Sequence, residues 1–173
     1  MKLLVGPLDA VSTVFHEYKP IRVISLLSPS QEPPRFSHDI PHLCLFFNDI
    51  TETREGYIAP NEEIVNSLLE FGKEWIEPEP MLVHCWMGIS RSTAAAMILG
   101  CALAPDRNEE DIAQALRISS PSATPNLLMI QIADRLLNRN GRMTHAIQKI
   151  GRGAEASIGT PFLFTIQEHY SKA

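Results

Sequence analysis

Cysteine is scarce: Cys44, Cys85 and Cys101 are the only three in 173 residues, and no two stand at a CxxC spacing. So small and odd a set makes a poor disulfide framework and a poor zinc site. It fits a reducing compartment, the cytoplasm, where a reactive thiol stays usable. Long apolar runs are lacking too. No stretch approaches the length of a membrane span, so no stable membrane insertion is expected. The opening apolar stretch is cut by Gly6-Pro7 and Asp9, too early for a secretory leader. There is no surplus of positive charge. Fifteen Lys and Arg stand against 20 Asp and Glu, a net charge of -5, which gives no electrostatic ground for a nucleic-acid partner. His38, His42, His84, His145 and His169 form no metal-ligand pattern with the cysteines, so neither metal nor cofactor is expected. Internal repeats and low-complexity tracts are absent.

What is present is an ordinary folded composition, 45% hydrophobic and 20% charged, in a length suited to one domain over 1–173. Short runs rich in Val, Ile and Leu read as strands over 3–5, 22–27, 43–47 and 81–83. Gly6-Pro7 is expected to end the first strand, and Asp9 to cap a helix reaching Tyr18 with Val11, Val14, Phe15 and Tyr18 inward. Four prolines mark residues 28–41 as loop, and 51–59 reads as a solvent-facing one.

Asn61 is a good cap for a helix that turns Ile64, Val65, Leu68, Phe71, Trp75 and Ile76 toward the core before Pro78 and Pro80 stop it. A buried helix is expected from Ser90 or Arg91 to Leu103. Asp106 and Glu109 have capping-box spacing before a helix to Ile118. Another should run from 126 to about 138 with Leu128, Ile132 and Leu136 inward, and one from 143 to 150 before a less regular tail over 151–173. Strands alternating with helices predict an α/β sandwich with a central, mainly parallel sheet flanked by helices. Phe46, Phe47, Phe71 and Trp75 read as core or groove wall, and Cys44 and Cys101 as packed core thiols.

The chemistry concentrates in His84-Cys85-Trp86-Met87-Gly88-Ile89-Ser90-Arg91-Ser92. A thiol ends a predicted strand, and five residues later an arginine opens a helix. Gly88 permits a turn that brings successive N–H groups toward one point, and the helix N-terminus adds more. Such a loop can surround a phosphate dianion and favour the nucleophilic thiolate. Arg91 offers a fork of donors to two phosphate oxygens, which lysine would not. Ser92 can donate near the sulfur when the thiolate must leave. His84 orients the loop better than it serves as a base, since an ionised thiol needs none. A buried, inert Cys85 beside a helix that happens to begin with Arg91 is the plainer alternative.

This segment resembles the signature loop of the protein tyrosine phosphatase superfamily, in particular its compact dual-specificity-like branch. The fit rests on Gly88, Ser90, Arg91 and Ser92 around Cys85. The likeness extends to the strand before Asp49, the helix from Asn61 and the region 119–131. It implies a protein tyrosine phosphatase-like sandwich and a metal-free, two-step reaction through a phosphocysteine at Cys85.

A carboxylic acid must protonate the leaving oxygen. Asp49 is the candidate, since it follows a strand at its carboxyl end and its distance ahead of Cys85 is similar to that of the family's acid. Glu52, Glu55 and Asp39 are competitors, with Glu52 the nearest. Asn126, after Pro125, either braces the loop or simply caps its helix. Arg117 and Arg54 read as surface charges near substrate. In the resembling family, the positions of Trp86 and Met87 shape the entrance, and the loop backbone of Trp86, Met87, Gly88, Ile89 and Ser90 with Arg91 holds the phosphate. Lysines common there in phosphoinositide phosphatases are missing, which favours phosphotyrosine over lipid phosphate. The expected partner is a phosphorylated protein or a small phosphoester. The alternatives are a catalytically weak phosphopeptide-binding module, a phosphatase for phosphoinositides or other small phosphoesters, and a rhodanese-like sulfur-transfer enzyme.

Overall fold

Four apolar runs and one unforeseen segment form a single five-stranded sheet. The computed structural model describes residues 1–36, 39–75 and 79–166. The readings placed on His38, Ile76, Pro78 and His169 lie outside the described residues. The strands are β1 (Lys2–Pro7), β2 (Arg22–Leu27), β3 (His42–Phe46), β4 (Met81–Cys85) and β5 (Phe162–Thr165), in the order β3-β2-β4-β1-β5. All neighbours are parallel except β1 and β5, which run antiparallel. The central, mainly parallel sheet is the one the alternating pattern predicts.

Strand alternation sorts side chains onto two faces. Met81, Val83 and Cys85 join Leu3, Val5, Ile24 and Leu26 in the larger core cluster. Helices α2 (Glu62–Lys73), α3 (Arg91–Leu103), α4 (Glu109–Ser119), α5 (Leu127–Leu136) and α6 (Arg142–Ile150) supply the rest of that cluster. Leu4, Val23 and Leu82 point the other way, onto Val11, Val14 and Phe15 of α1 (Val11–Tyr18). Helix α3 is buried from Arg91 through Cys101, as an apolar stretch without a polar face must be.

Several local expectations are corrected. Gly6 and Pro7 do not end β1; they pair with His84 and Cys85 of β4. Pro7 is tolerated because β5 pairs only as far as Val5, so its missing N–H costs no ladder bond on that side. Asp9 sits in a 3-10 turn, Leu8–Ala10, and does not cap α1. Tyr18 is exposed. Asn61 does cap α2, its Oδ1 accepting from Ile64 N–H at 3.0 Å. Phe71 is only half-buried there, beneath the Arg22 guanidinium.

Helix α4 is capped by Asn108, which accepts from Glu110 N–H at 2.8 Å, and not by Asp106. Glu109 is buried instead, and takes Arg139 and Arg142 at 3.1 Å each. On α5, Met129, Ile130, Ile132 and Ala133 face inward, while Leu128 and Leu136 are half-buried. Of the thiols, Cys101 is buried as expected, but Cys44 is only partly so.

Strand β5 is the element the sequence did not announce, within a stretch that reads as irregular tail. Its Phe164 is fully buried against the larger core. Truncating that ring leaves a cavity, so Phe164→Ala is expected to lower the unfolding free energy by about 3 to 5 kcal/mol. Urea unfolding would measure it. Unchanged stability would mean that β5 does not anchor the sheet edge.

Candidate active site

Cys85 ends β4 and Asp49 follows β3, so both stand at the carboxyl ends of parallel strands, where open α/β sheets place their sites. Cys85 is the last residue of β4 and Arg91 the first of α3, so residues 85–91 form the turn between the two most buried elements. Gly88 has φ +69, a left-handed conformation. A Cβ there would meet Pro7 N at 2.6 Å and Gly6 C at 2.7 Å, both backbone atoms of β1. No larger residue fits.

Four of the loop's carbonyls are held by donors from outside it. Trp86 O accepts from Leu8 N–H at 3.2 Å, and Met87 O from Gly159 N–H at 2.7 Å. Ile89 O accepts from Thr124 N–H at 2.9 Å and Thr93 Oγ1 at 2.5 Å. Ser90 O accepts from Ala94 N–H at 2.9 Å, Thr93 Oγ1 at 2.9 Å and Asn126 N–H at 3.3 Å. A trans peptide points its C=O and the following N–H in opposite directions. Turning these carbonyls outward therefore turns the N–H groups of Met87, Gly88, Ser90 and Arg91 toward the loop interior. The N–H of Gly88 meets Cys85 Sγ at 3.2 Å. Ser92 Oγ lies 3.2 Å from the same sulfur.

Arg91 is 3% exposed. Its Nη1 donates to Phe47 O at 2.9 Å and Ser28 Oγ at 3.3 Å, while Nε has no partner. Among the described residues no carboxylate pairs with it. A buried cation without a counter-charge is costly, and an anion bound in the loop is the group that would offset it.

Asp49 is brought to this loop. Its Oδ1 accepts from Ser90 Oγ and from Asn126 Nδ2, both at 2.8 Å. Asn126 also donates to Ile50 O at 3.1 Å, and its Oδ1 caps α5 by accepting from Met129 N–H at 3.1 Å. Brace and cap are one residue. Glu52 and Arg54 line the same cleft of about 430 Å³ beside Asp49 and Ser90. Asp39 lines a separate pocket with Phe15 and Ile21, and Glu55 is exposed. Arg54 lies over the Tyr57 ring, 5.7 Å from its centroid. Arg117 is a structural tie, donating to Pro121 O at 2.6 Å and Gly151 O at 2.7 Å. At the mouth Trp86 is 53% exposed, Met87 and Ser90 are half-exposed and Ile89 is half-buried.

His84 points to the opposite face from Cys85. Its Nε2 lies 2.6 Å from Ser25 Oγ, which lies 2.7 Å from His42 Nε2. Cys44 Sγ is 3.3 Å from that same nitrogen. The residues were visible in the sequence, but their meeting across three strands follows only from register, since Ser25 pairs with both Cys44 and His84. Burial, with the neighbouring His42, pushes His84 down to about 4. Burial also lowers His42. Among the described residues no group of three or more His, Cys, Asp or Glu is placed to hold a metal.

Neither a protein-family model nor a curated protein sequence matches the chain. Solved structures do match it. The Yvh1 phosphatase domain from Chaetomium thermophilum has a TM-score of 0.61 at 17% identity, covering 80% of this chain and 92% of its own. DUSP15 has a TM-score of 0.60 at 18% identity, with 84% and 89% covered. The human tyrosine phosphatase-like serine/threonine/tyrosine-interacting protein has 0.59 at 17%, with 79% and 91% covered. The chain has the protein tyrosine phosphatase-like sandwich fold.

Buried neutral His84 gives a pH prediction. In the unfolded chain imidazole takes its proton near pH 6.5; in the folded protein it resists until about 4. Above pH 6.5 there is no difference to exploit. As pH falls through that window the unfolded chain binds the proton first, and folding loses up to about 3 kcal/mol. His84→Gln removes this term. Urea unfolding of both proteins at pH 7 and pH 4.5 should show the wild type losing more stability on acidification, and equal losses would contradict the buried neutral imidazole.

Proposed function

We propose that this chain is a metal-independent phosphoric monoester hydrolase that works through a phosphocysteine at Cys85, with phosphotyrosine in proteins as its substrate. One observation carries the reading: Cys85 Sγ lies 3.2 Å from both Gly88 N and Ser92 Oγ, in a loop closed by the buried Arg91, which pairs with no carboxylate among the described residues. This is an anion cradle with a nucleophile at its base.

In the first step the Cys85 thiolate attacks phosphorus. The P–S bond forms, the ester P–O bond breaks, and the leaving oxygen takes a proton from the Asp49 carboxyl group. Arg91 and the inward N–H groups bind the equatorial oxygens as charge redistributes. In the second step water gives its proton to Asp49 and attacks phosphorus. The P–S bond breaks, and Ser92 donates to the departing sulfur. The charge on Asp49 changes between steps while Ser90 and Asn126 keep it at the loop. His84, joined to Ser25, backs the strand that ends in Cys85.

The substrate preference follows from the mouth. Exposed Trp86 offers an aromatic face beside the cradle, and Trp86, Met87, Gly88 and Ile89 bring no cation for a second phosphate. Three free thiols suit a reducing, cytoplasmic setting.

A panel of phosphotyrosine peptides, phosphoserine peptides and inositol phosphates, assayed with and without chelator, tests the class. Turnover of phosphotyrosine peptides that survives chelation is expected. Turnover of none, or loss on chelation, would overturn the proposal, and preference for inositol phosphates would replace the substrate. For the acid, Asp49→Asn should slow alkyl phosphates by about 100- to 10,000-fold and aryl phosphates with good leaving groups much less. Equal losses on both would remove Asp49 from the acid role.

A further inference from the structure

Residues 151–161, between α6 and β5, pass across the outside of the candidate phosphate loop. Gly153 N–H donates to Thr124 Oγ1 at 3.1 Å, and Ala154 N–H donates to Pro121 O at 2.9 Å. These bonds fasten one end of the strap to the segment whose Thr124 N–H holds Ile89 O. The other end enters β5, paired with β1. Between them residues 154–158 are exposed, but Gly159 is buried.

Gly159 touches the loop at its most consequential peptide. Its N–H donates to Met87 O at 2.7 Å. The same Met87–Gly88 peptide unit carries, on its opposite edge, the Gly88 N–H that reaches Cys85 Sγ at 3.2 Å. In a planar trans unit the two directions are locked together. The contact leaves no space: a Cβ on Gly159 would meet Gly88 O at 2.8 Å, and Gly88 C and Met87 O at 3.2 Å. All three are backbone atoms, unable to swing aside as a side-chain tip would. Gly159 itself is not in the left-handed region, so alanine there strains the contact and not the conformation.

We infer that Gly159 is a positioning residue, through which the strap sets the Met87–Gly88 peptide and so aims the Gly88 N–H at the Cys85 sulfur. The inference rests on the phosphatase reading for its consequence in turnover, but its geometry concerns the thiolate and the bound anion directly. Because strap and β5 are continuous, this part of the site is built from the end of the chain opposite to β1.

The test is alkylation of Cys85 by iodoacetamide as a function of pH, in wild type and Gly159→Ala, with inorganic phosphate as protecting ligand. Folding of the variant is checked by circular dichroism. Loss of one well-aimed donor to a thiolate should slow alkylation about tenfold near pH 6, move the profile to higher pH, and raise the phosphate needed for protection about tenfold. A folded variant with the wild-type profile and wild-type protection would overturn the inference. If the variant does not fold, amide hydrogen exchange on the wild type decides. Gly159 N–H should exchange more slowly than Ala156 and Ser157, and more slowly still with phosphate bound; exchange as fast as theirs under both conditions would overturn the inference. Wild type that hydrolyses no phosphoester defeats the phosphatase reading without touching this readout. A turning-over enzyme whose Gly159→Ala form alkylates normally defeats only the strap's role.

Discussion

The planarity of four peptide units governs the site. Residues 86, 87, 89 and 90 each present a carbonyl to a donor outside the loop, and each planar unit then presents its N–H inward. The donors come from Leu8 after β1, from Gly159 before β5, from Thr124 between α4 and α5, and from the first turn of α3 with Asn126. Nine residues of sequence are thus held by segments as far apart as Leu8 and Gly159. Burying carbonyls without partners costs free energy, so the outer bonds stabilise the fold as well as the loop's orientation. On the proposed function, fold stability and anion affinity share these contacts.

Strand alternation imposes a second division. Cys85 and His84 are adjacent, yet they face opposite sides of the sheet, the sulfur toward the large helical core and the imidazole toward α1. Cys44 pairs with Ser25 in register and stands on the His84 side. A sheet therefore separates it from Cys85, which removes it as a disulfide partner for that thiol in this arrangement. The buried row His84, Ser25, His42 replaces what would otherwise be apolar packing behind the strand that ends in Cys85. Its hydroxyl can donate to one imidazole and accept from the other.

Much of this was legible in the residues. The thiol at a strand end, glycine at the turn and arginine at a helix start are local features, and local rules read them correctly. The α/β alternation likewise gave the parallel sheet, and Asn61 its cap. Interactions between distant segments were not legible. Strand β5 is four residues long and follows a stretch of Gly, Ala and Ser that signals loop. Glu109 matched a capping box by spacing, but two arginines far along the chain offered a buried carboxylate stronger partners. Gly159 carries no signal in sequence at all, because its constraint is the closeness of another backbone. Asn126 had two readings that seemed exclusive. Its side-chain oxygen caps the helix, while its backbone N–H donates to Ser90 O in the loop and its side-chain nitrogen holds Asp49 beside it.

The central claim is that an inward-facing backbone cradle makes Cys85 a phosphoryl acceptor. Rapid-quench mass spectrometry of the wild-type protein mixed with an excess of p-nitrophenyl phosphate tests it most directly. A phosphoryl group on the peptide containing Cys85, formed before steady state and lost on longer incubation after substrate is exhausted, is the expected result. Release of p-nitrophenol with no phosphoryl adduct on that peptide at any quench time would contradict the account.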